Sequence, residues 1–221
     1  MKNKNYFILL VLFLSALQIK AQYSFDNVLY GAAYYHEYMP YERLDEDIRL
    51  MQKAKVNVVT VAVFAWANLE PEDGIYTFEW LDRVLDKLYQ GGISVDLATA
   101  TATPPRWLTS AHPEILPRNK QGAILWPGSR QQWRPTSEVF RRYALRLVEK
   151  MAEHYKKHPA LVSWHVSNEL GCHNRFDYSD DAALGFQKWL KRRYGTLDAL
   201  NESWNGSFWS QKVTDWAQII P

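Results

Sequence analysis

The chain has 221 residues, of which 47% are hydrophobic and 14% aromatic, and its formal net charge is +2. This length and composition allow a buried core, which argues against a disordered chain. Nothing in the charge indicates the concentrated basic face that nucleic-acid binding needs, so no nucleic-acid partner is expected. Because Cys172 is the only cysteine, no internal disulfide can form, and packing has to stabilise the fold.

The first 21 residues have the pattern of a secretory signal peptide. Lys2 and Lys4 precede the apolar segment 6–17, and Ala21 offers a small residue for cleavage. The segment is shorter than the about 20 apolar residues of a membrane span. We expect an exported protein, periplasmic or extracellular, with no stable membrane insertion after cleavage; an uncleaved anchor is the alternative. Residues 1–21 contain three lysines and no acid, so cleavage leaves 23 basic side chains against 24 acidic ones.

Residues 22–221 are predicted to form one domain in which strands and helices alternate. The strands are predicted at 29–35, 57–64, 93–102 and 161–166, and the helices at 41–55, 78–89, 138–157, 180–194 and 197–204. The second strand is β-branched without polar alternation, which is typical of a parallel sheet covered on both faces. The connection 103–137 is long, and loops of this length in compact domains are usually functional.

Two parallel architectures fit repeated strand–helix units, a doubly wound sheet and a (β/α)8 barrel. A doubly wound nucleotide-binding sheet should have a glycine-rich turn after its first strand, but Tyr34-Tyr35-His36-Glu37 stands there. The predicted fold class is therefore α/β, a TIM barrel of which the chain holds the first four βα units. A complete barrel needs eight units and about 250 residues, so we expect the N-terminal part of a longer or split enzyme.

The pair Asn168-Glu169 closes the fourth predicted strand and is the main candidate for chemistry. Working residues of such barrels lie at the C-terminal ends of strands. A carboxylic acid beside an amide suits a glycoside hydrolase, because the acid can protonate a leaving oxygen while the amide binds the sugar. Val166 and Trp164 are expected to give Glu169 partly apolar surroundings. The structural alternative is a strand-end carboxylate paired with an arginine.

Several other residues have both a functional and a simpler structural interpretation. Arg130, in the long connection, could fork onto two sugar hydroxyls or only anchor the loop. Trp107 could line a pocket or pack the loop. His36-Glu37 lacks the second histidine of a zinc protease motif. Cys172 and His173 together give fewer ligands than the four of a closed zinc site. No metal or other cofactor is expected.

A set of motifs in fixed order resembles a known family, the β-galactosidases of glycoside hydrolase family 42. The resemblance covers the N-terminal half of their catalytic barrel, from about residue 29 to residue 221. The motifs are Tyr34-Tyr35-His36-Glu37, Asn57-Val58-Val59, Phe64-Ala65-Trp66, Leu69-Glu70-Pro71, Gly74-Ile75-Tyr76-Thr77-Phe78, Trp80-Leu81-Asp82, residues 99–108 (TATATPPRWL), Asn168-Glu169 and Phe208-Trp209-Ser210.

The resemblance implies a retaining enzyme that cleaves terminal β-D-galactosides. By it, Glu169 is the general acid/base, Asn168 contacts the sugar 2-hydroxyl, Arg130 binds galactose, and Trp204 is an aromatic wall of the substrate site. The family's nucleophile follows strand seven, which this chain lacks. Two departures stand out: His36 replaces a usual proline, and the zinc-binding cysteine cluster of several members is reduced to Cys172.

The expected function is therefore a β-galactosidase-type hydrolase that is inactive as an isolated 221-residue chain. Expected partners are a galactoside or oligosaccharide substrate and either the missing C-terminal half or further copies of the chain. Three alternatives stay open: a galactoside-binding half-barrel without turnover, a subunit that completes its barrel with a separately encoded partner, and a β-glycosidase of the same clan with another sugar preference.

Overall fold

The computed structural model describes residue 25 and residues 27–128, 131–173 and 175–220. The predicted signal peptide lies outside the described residues. The chain divides into two units, residues 1–30 and residues 31–221. Of the first unit, the described residues form neither helix nor strand. All that follows concerns the second unit.

A parallel sheet of four strands forms the centre of this unit. Its strands are β1 (Gly31–Ala33), β2 (Val58–Val61), β3 (Ser94–Ala98) and β4 (Leu161–His165), in the spatial order β1-β2-β3-β4. Sequential parallel neighbours require a crossover between each pair, and helices supply it. The register of β3 against β4 shifts between Val95 and Asp96, a bulge of the kind that increases local twist. This is the first half of a TIM barrel, as predicted.

Helices lie in the connections between the strands and after β4. They are α1 (Leu44–Lys53), α2 (Trp66–Leu69), α3 (Glu79–Gln90), α4 (Arg106–Ala111), α5 (Glu138–Tyr155), α6 (Asp180–Tyr194) and α7 (Leu197–Ser203). Short 3-10 turns occur at His36–Tyr38, Tyr41–Arg43, Pro113–Ile115, Phe208–Ser210 and Trp216–Gln218. At the start of α5, α6 and α7, backbone amides donate hydrogen bonds to the side-chain hydroxyls of Ser137, Ser179 and Thr196. In the described part of the chain, no helix combines the length and apolarity that crossing a membrane would require.

The two faces of the sheet differ because side chains alternate along each strand. One face packs against α1, α3 and α5 in the main core, which contains Val59, Val61, Val95 and Leu97 together with Leu44, Leu81, Leu85, Leu147 and Met151. The opposite face, which corresponds to a barrel interior, is polar. There Asp96 accepts hydrogen bonds from Thr60 at 2.9 Å and Ser163 at 2.5 Å, and His165 Nδ1 lies 3.8 Å from it.

All the predicted strands and helices are present, but several boundaries were wrong and the short helices α2 and α4 were not predicted. The first strand begins at Gly31, two residues later than predicted, and ends at Ala33. The long connection contains α4 and a 3-10 turn rather than loop alone. The segment after α7, for which no pattern was found, contains two 3-10 turns.

A buried ion pair ties the loop after β2 to α5. Glu70 is fully buried; its Oε2 accepts from Trp66 Nε1 and its Oε1 from the Gly74 amide, both at 2.9 Å. Arg146 of α5 bonds the same carboxylate and also Asp73, at 2.5 Å. Trp107 of α4 donates to the Glu70 carbonyl at 2.8 Å, so it packs the loop, one of its two predicted uses.

We expect Gly31→Ala to lower the free energy of unfolding by about 1–3 kcal/mol, the usual cost of overpacking. A Cβ at Gly31 would overlap the carbonyl of Val58 on the neighbouring strand, so β1 would have to move away from β2. Urea unfolding of the 221-residue chain measures the change. Gly128→Ala is the control, because among the described residues beyond its chain neighbours no atom lies within 4 Å of the added Cβ; equal midpoints for both variants would contradict the prediction.

Candidate active site

Asn168 and Glu169 lie in the turn that follows β4, at the C-terminal edge of the sheet. Glu169 has a positive φ of 46°, a conformation that costs a non-glycine residue about 1–2 kcal/mol. Such backbone persists only where surrounding contacts fix it, and it concentrates at functional sites. The Cys172 amide donates to the Glu169 carbonyl at 3.0 Å and closes the turn.

Among the described residues, Asn168 and His173 both approach the Glu169 carboxylate. Asn168 Nδ2 donates to Glu169 Oε2 at 3.3 Å, and His173 Nε2 lies 3.9 Å from the same oxygen. The structure therefore brings the two residues predicted from the sequence pair into contact through their side chains. The Glu169 side chain is 48% exposed, so it can reach a ligand at the strand ends.

Gln131, which the sequence did not point to, holds this turn in place. It is buried, and its side-chain amide donates to the carbonyls of Asn168 and, at 2.9 Å, Glu169. Its Oε1 accepts from the His173 amide at 3.2 Å. The backbone amide of Gln131 donates to the Ala102 carbonyl at 2.8 Å, which ties the turn to the segment after β3. The only sequence signal was its position directly after Arg130.

We expect Gln131→Ala to expose the His173 amide to hydrogen exchange and to lower the free energy of unfolding by about 1–3 kcal/mol, because the carbonyls of Asn168 and Glu169 lose the donor of their half-buried hydrogen bonds. Amide exchange of the 221-residue chain measures both effects. The control is Gln121→Ala in an exposed turn. Unchanged protection of the His173 amide in Gln131→Ala would show that the Gln131 side chain is not needed to hold the turn.

A cleft of about 460 Å³ opens beside this turn. Its lining comes from the segments after all four strands: Tyr38, Phe64, Thr103, Pro104, Arg106, Pro127, Gly128 and His173. The Tyr35 ring stacks with the rings of Tyr38 and Phe64, at centroid distances of 5.7 and 5.8 Å. His173 belongs both to this lining and to the surroundings of Glu169, so the cleft begins at the candidate acid.

Glu37 is a second carboxyl group at the strand ends, after β1. Burial raises the pKa of Glu37 above its usual value. Its Oε1 is enclosed and has no hydrogen-bond partner among the described residues. Burial, and then the charge of Glu37, raise the pKa of Tyr38, whose ring lines the cleft. The sequence did not predict the burial of Glu37.

The other predicted site residues are placed less directly. Arg130 lies outside the described residues, so its role as a galactose ligand stays a prediction. Trp204 packs on α6: its ring is 6.5 Å from that of Phe186, and its Nε1 donates to the Tyr194 hydroxyl at 3.3 Å. Its role as an aromatic wall also stays a prediction.

The expectation that Trp164 gives Glu169 apolar surroundings was wrong, and the same expectation for Val166 stays a prediction. Val166 is 74% exposed. Trp164 is paired with Leu97 and packs against the main core on the helix side of the sheet.

Three groups at the turn could together approach a metal ion. One ligand atom each of Glu169, Cys172 and His173 lies within 4.8 Å of the others, and all three residues are exposed. A closed structural zinc site needs four ligands, so this trio does not fit one. Cys172 is a free thiol.

Comparison with known proteins decides the family. Residues 33–221 match the model of the family Glyco_hydro_42, described as β-galactosidase. The chain belongs to glycoside hydrolase family 42. It is 60% identical over 196 residues to β-galactosidase BbgII of Bifidobacterium bifidum, covering 89% of this chain and 28% of that protein. It is 49% identical over 194 residues to β-galactosidase LacZ of Heyndrickxia coagulans, covering 88% and 29%. The chain thus spans less than a third of the length of these relatives.

Solved structures of the family superimpose on this fold. A β-galactosidase from Halorubrum lacusprofundi matches with a TM-score of 0.83 and 38% identity over 86% of this chain and 29% of that one. A catalytic mutant of Gan42B from G. stearothermophilus matches with 0.81 and 41%, over 87% and 28%. The catalytic domain of a β-amylase from Paenibacillus polymyxa shares the fold alone, with a TM-score of 0.54 and 16% identity over 87% and 53%. The predicted family and barrel class are confirmed.

Proposed function

We propose that this chain forms the acid/base half of a retaining β-galactosidase that releases terminal β-D-galactosyl groups. The observation that carries the proposal is the position of Asn168 and Glu169, in side-chain contact beyond the C-terminal end of β4, in a chain of family 42. This is the edge at which barrel enzymes place their working residues. The named β-galactosidase activity of the relatives supports the substrate class.

In this mechanism Glu169 acts twice. As a carboxylic acid it gives its proton to the glycosidic oxygen while the bond from that oxygen to the anomeric carbon breaks and a second carboxylate bonds the same carbon. As a carboxylate it then takes a proton from the water that displaces the second carboxylate. The family resemblance assigns that nucleophile to strand seven, beyond the four strands of this chain.

The residues around Glu169 orient it for these two steps. Asn168 donates to Glu169 Oε2, and the Gln131 side chain fixes the backbone of both residues through hydrogen bonds to their carbonyls. A general acid must lie within hydrogen-bond reach of the oxygen that it protonates. A turn that fixes Glu169 therefore raises the rate of proton transfer. The remaining exposure of Glu169 leaves room for the substrate.

The cellular setting and the partner extend the proposal. The leader-like residues 1–21 support export to the periplasm or the outside of the cell. Because the relatives are more than three times as long as the matched segment, the partner that completes the site is the remainder of such a barrel. The galactoside is proposed to bind between this half and that remainder.

A chimera tests the proposed function. The 196-residue matched segment of BbgII, which is 60% identical, is replaced by the corresponding segment of this chain, and intact BbgII serves as the positive control. We expect hydrolysis of aryl β-galactosides by the chimera with retention of anomeric configuration, and none by the 221-residue chain alone. A folded chimera without hydrolysis would refute the proposal. Turnover by the isolated chain would refute the need for a second half, and sugar binding without turnover in the chimera would favour a binding module.

A further inference from the structure

We propose that Glu169, Cys172 and His173 form an open site for a divalent cation of the Zn²⁺ type, and that this cation inhibits the acid/base carboxylate. The inference rests on the proposed function, because it assigns a means of inhibition to the same glutamate. One ligand atom of each residue lies within 4.8 Å of the other two. In the part of the chain that the structure describes, no other group of three such side chains meets this spacing.

The backbone of the turn after β4 brings these three side chains together. Glu169 and Gly171 both have left-handed backbone, with φ of 46° and 75°, and the Cys172 amide closes the turn on the Glu169 carbonyl at 3.0 Å. Buried Gln131 bonds the Glu169 carbonyl and the His173 amide. The backbone on both sides of the site is therefore fixed by the protein's own hydrogen bonds, and binding a cation would need no refolding of the turn.

The ligand set fits zinc better than the hard cations. A carboxylate oxygen, a thiolate sulfur and an imidazole nitrogen are the three ligand types that Zn²⁺ uses in proteins. Ca²⁺ and Mg²⁺ take oxygen ligands instead, so a thiol and an imidazole argue against them. Bonds of about 2.0–2.3 Å place the ligand atoms of a tetrahedral ion about 3.3–3.8 Å apart.

The observed spacing is close to that geometry. Glu169 Oε2 and His173 Nε2 are 3.9 Å apart, and the ligand atoms of the trio span no more than 4.8 Å. They would have to close by at most about 1.5 Å to reach tetrahedral spacing. All three residues are exposed, so rotation of their side chains can supply this movement.

An ion in this site would stop both steps assigned to Glu169. Three protein ligands leave a fourth position of the ion for water, as in open zinc sites. The ion occupies the carboxylate oxygen that has to carry the proton, so Glu169 can neither protonate the glycosidic oxygen nor take a proton from water. Cys172 binds as the thiolate, and its proton passes to solvent.

This site differs from the cysteine cluster of several family members. Because Cys172 is the only cysteine of the chain, a site built from several thiolates cannot form here. The proposed site uses the acid/base residue itself as a ligand and keeps an open position. Its expected consequence is therefore inhibition of the enzyme, rather than the support of the fold that closed zinc sites give.

Cobalt titration of the 221-residue chain tests the ligands directly. A thiolate bound to Co²⁺ gives a charge-transfer band in the near ultraviolet, which Cys172→Ala should abolish and added Zn²⁺ should displace. Glu169→Ala and His173→Ala should each weaken Co²⁺ binding at least about tenfold, since even residues behind the ligands of a metal contribute that much. Absence of the band in the unsubstituted chain overturns the site, and unchanged affinity in Glu169→Ala overturns the role of the carboxylate.

His154→Ala is the matched control for this titration. His154 is 41% exposed and its Nε2 lies 2.8 Å from Asp82, so it is also a histidine beside a carboxylate, but without the thiol. Its removal should leave the cobalt band and the affinity unchanged. An equal loss of affinity in His154→Ala and His173→Ala would show adventitious binding by surface histidines and overturn the assignment.

Inhibition of the BbgII chimera tests the consequence. Zn²⁺ should inhibit hydrolysis of aryl β-galactosides, and EDTA should restore it. Cys172→Ala should raise the zinc concentration for half-inhibition at least about tenfold, with each variant compared to its own activity in EDTA. Zinc sites in the BbgII part act equally on both proteins, so equal inhibition of the chimera and its Cys172→Ala variant overturns the inference.

The two measurements separate this inference from the proposed function, because the cobalt band does not require turnover. A band that depends on Cys172, together with an inactive chimera, would support the metal site while the hydrolase proposal fails. An active chimera in which zinc inhibition does not depend on Cys172 would overturn the inhibitory site alone.

Discussion

Glu169→Ala in the chimera should reduce kcat/KM for lactose by about 10²–10⁴-fold, the usual contribution of a general acid. With dinitrophenyl β-galactoside the reduction should be less than about tenfold, because that leaving group departs without a proton. Asn168 and His173 both lie beside the carboxylate, but neither occupies its position as a proton donor to the substrate. Steady-state kinetics on the two substrates measure the difference.

Azide provides a second readout for the same variant. Azide attacks the galactosyl intermediate without giving up a proton, so it should accelerate Glu169→Ala and yield β-galactosyl azide. Glu72→Ala, which removes another exposed acid, is the control. Its kcat/KM should match that of the unsubstituted chimera with both substrates, and azide should not accelerate it. If the two substrates slow equally in Glu169→Ala, then the carboxyl has another role and the assignment fails.

Glu70→Ala should be the most destabilising single substitution considered for this chain. The substitution breaks the ion pair of the fully buried Glu70 with Arg146, whose side chain is 36% exposed, and together with the lost hydrogen bonds this costs about 3–5 kcal/mol. In this case the loss also leaves Trp66 Nε1 and the Gly74 amide without their acceptor. For a protein of this length we expect Tm to fall by about 6–20 °C. Thermal unfolding of the 221-residue chain followed by circular dichroism measures the shift.

Asp73→Ala is the matched control for the Glu70 prediction. It removes the other carboxylate bonded to Arg146, but this one is 54% exposed, and exposed pairs contribute about 0–1 kcal/mol. Burial opposes the charge of Arg146, but the hydrogen bond with Asp73 and the charge of Glu70 together raise its pKa above the usual value. Equal shifts in Tm for the two variants would show that burial of Glu70 does not matter.

The strand–helix order was predictable because apolar spacing follows the local geometry. In α1, Leu44 and Ile48 stand at helical spacing and both are buried, as the helical period requires. Helix α4 was missed because it is six residues long and follows two prolines, so it shows hardly two turns of periodicity. Strand β1 was drawn too long because Leu29 and Tyr30 are apolar, yet both are exposed.

Adjacency in the sequence explains which part of the candidate site could be predicted. Asn168 and Glu169 follow a recognisable strand, so their position at its end was predictable. Gln131 acts through its side-chain bonds to two carbonyls 37 and 38 residues away, a relation that no local pattern encodes. The cleft residues Tyr38, Phe64 and Arg106 come from three separate strand ends and meet only through the sheet order.

The separation of the two sheet faces has a consequence for how such a protein changes under selection. Val59, Val61, Val95 and Leu97 hold the sheet to its helices, whereas the cleft side chains of Tyr38 and Arg106 take no part in that core. Mutational drift at these exposed cleft positions should therefore alter sugar preference without bringing the chain near its stability threshold. New specificities can accumulate on one side of the sheet while purifying selection acts on the other.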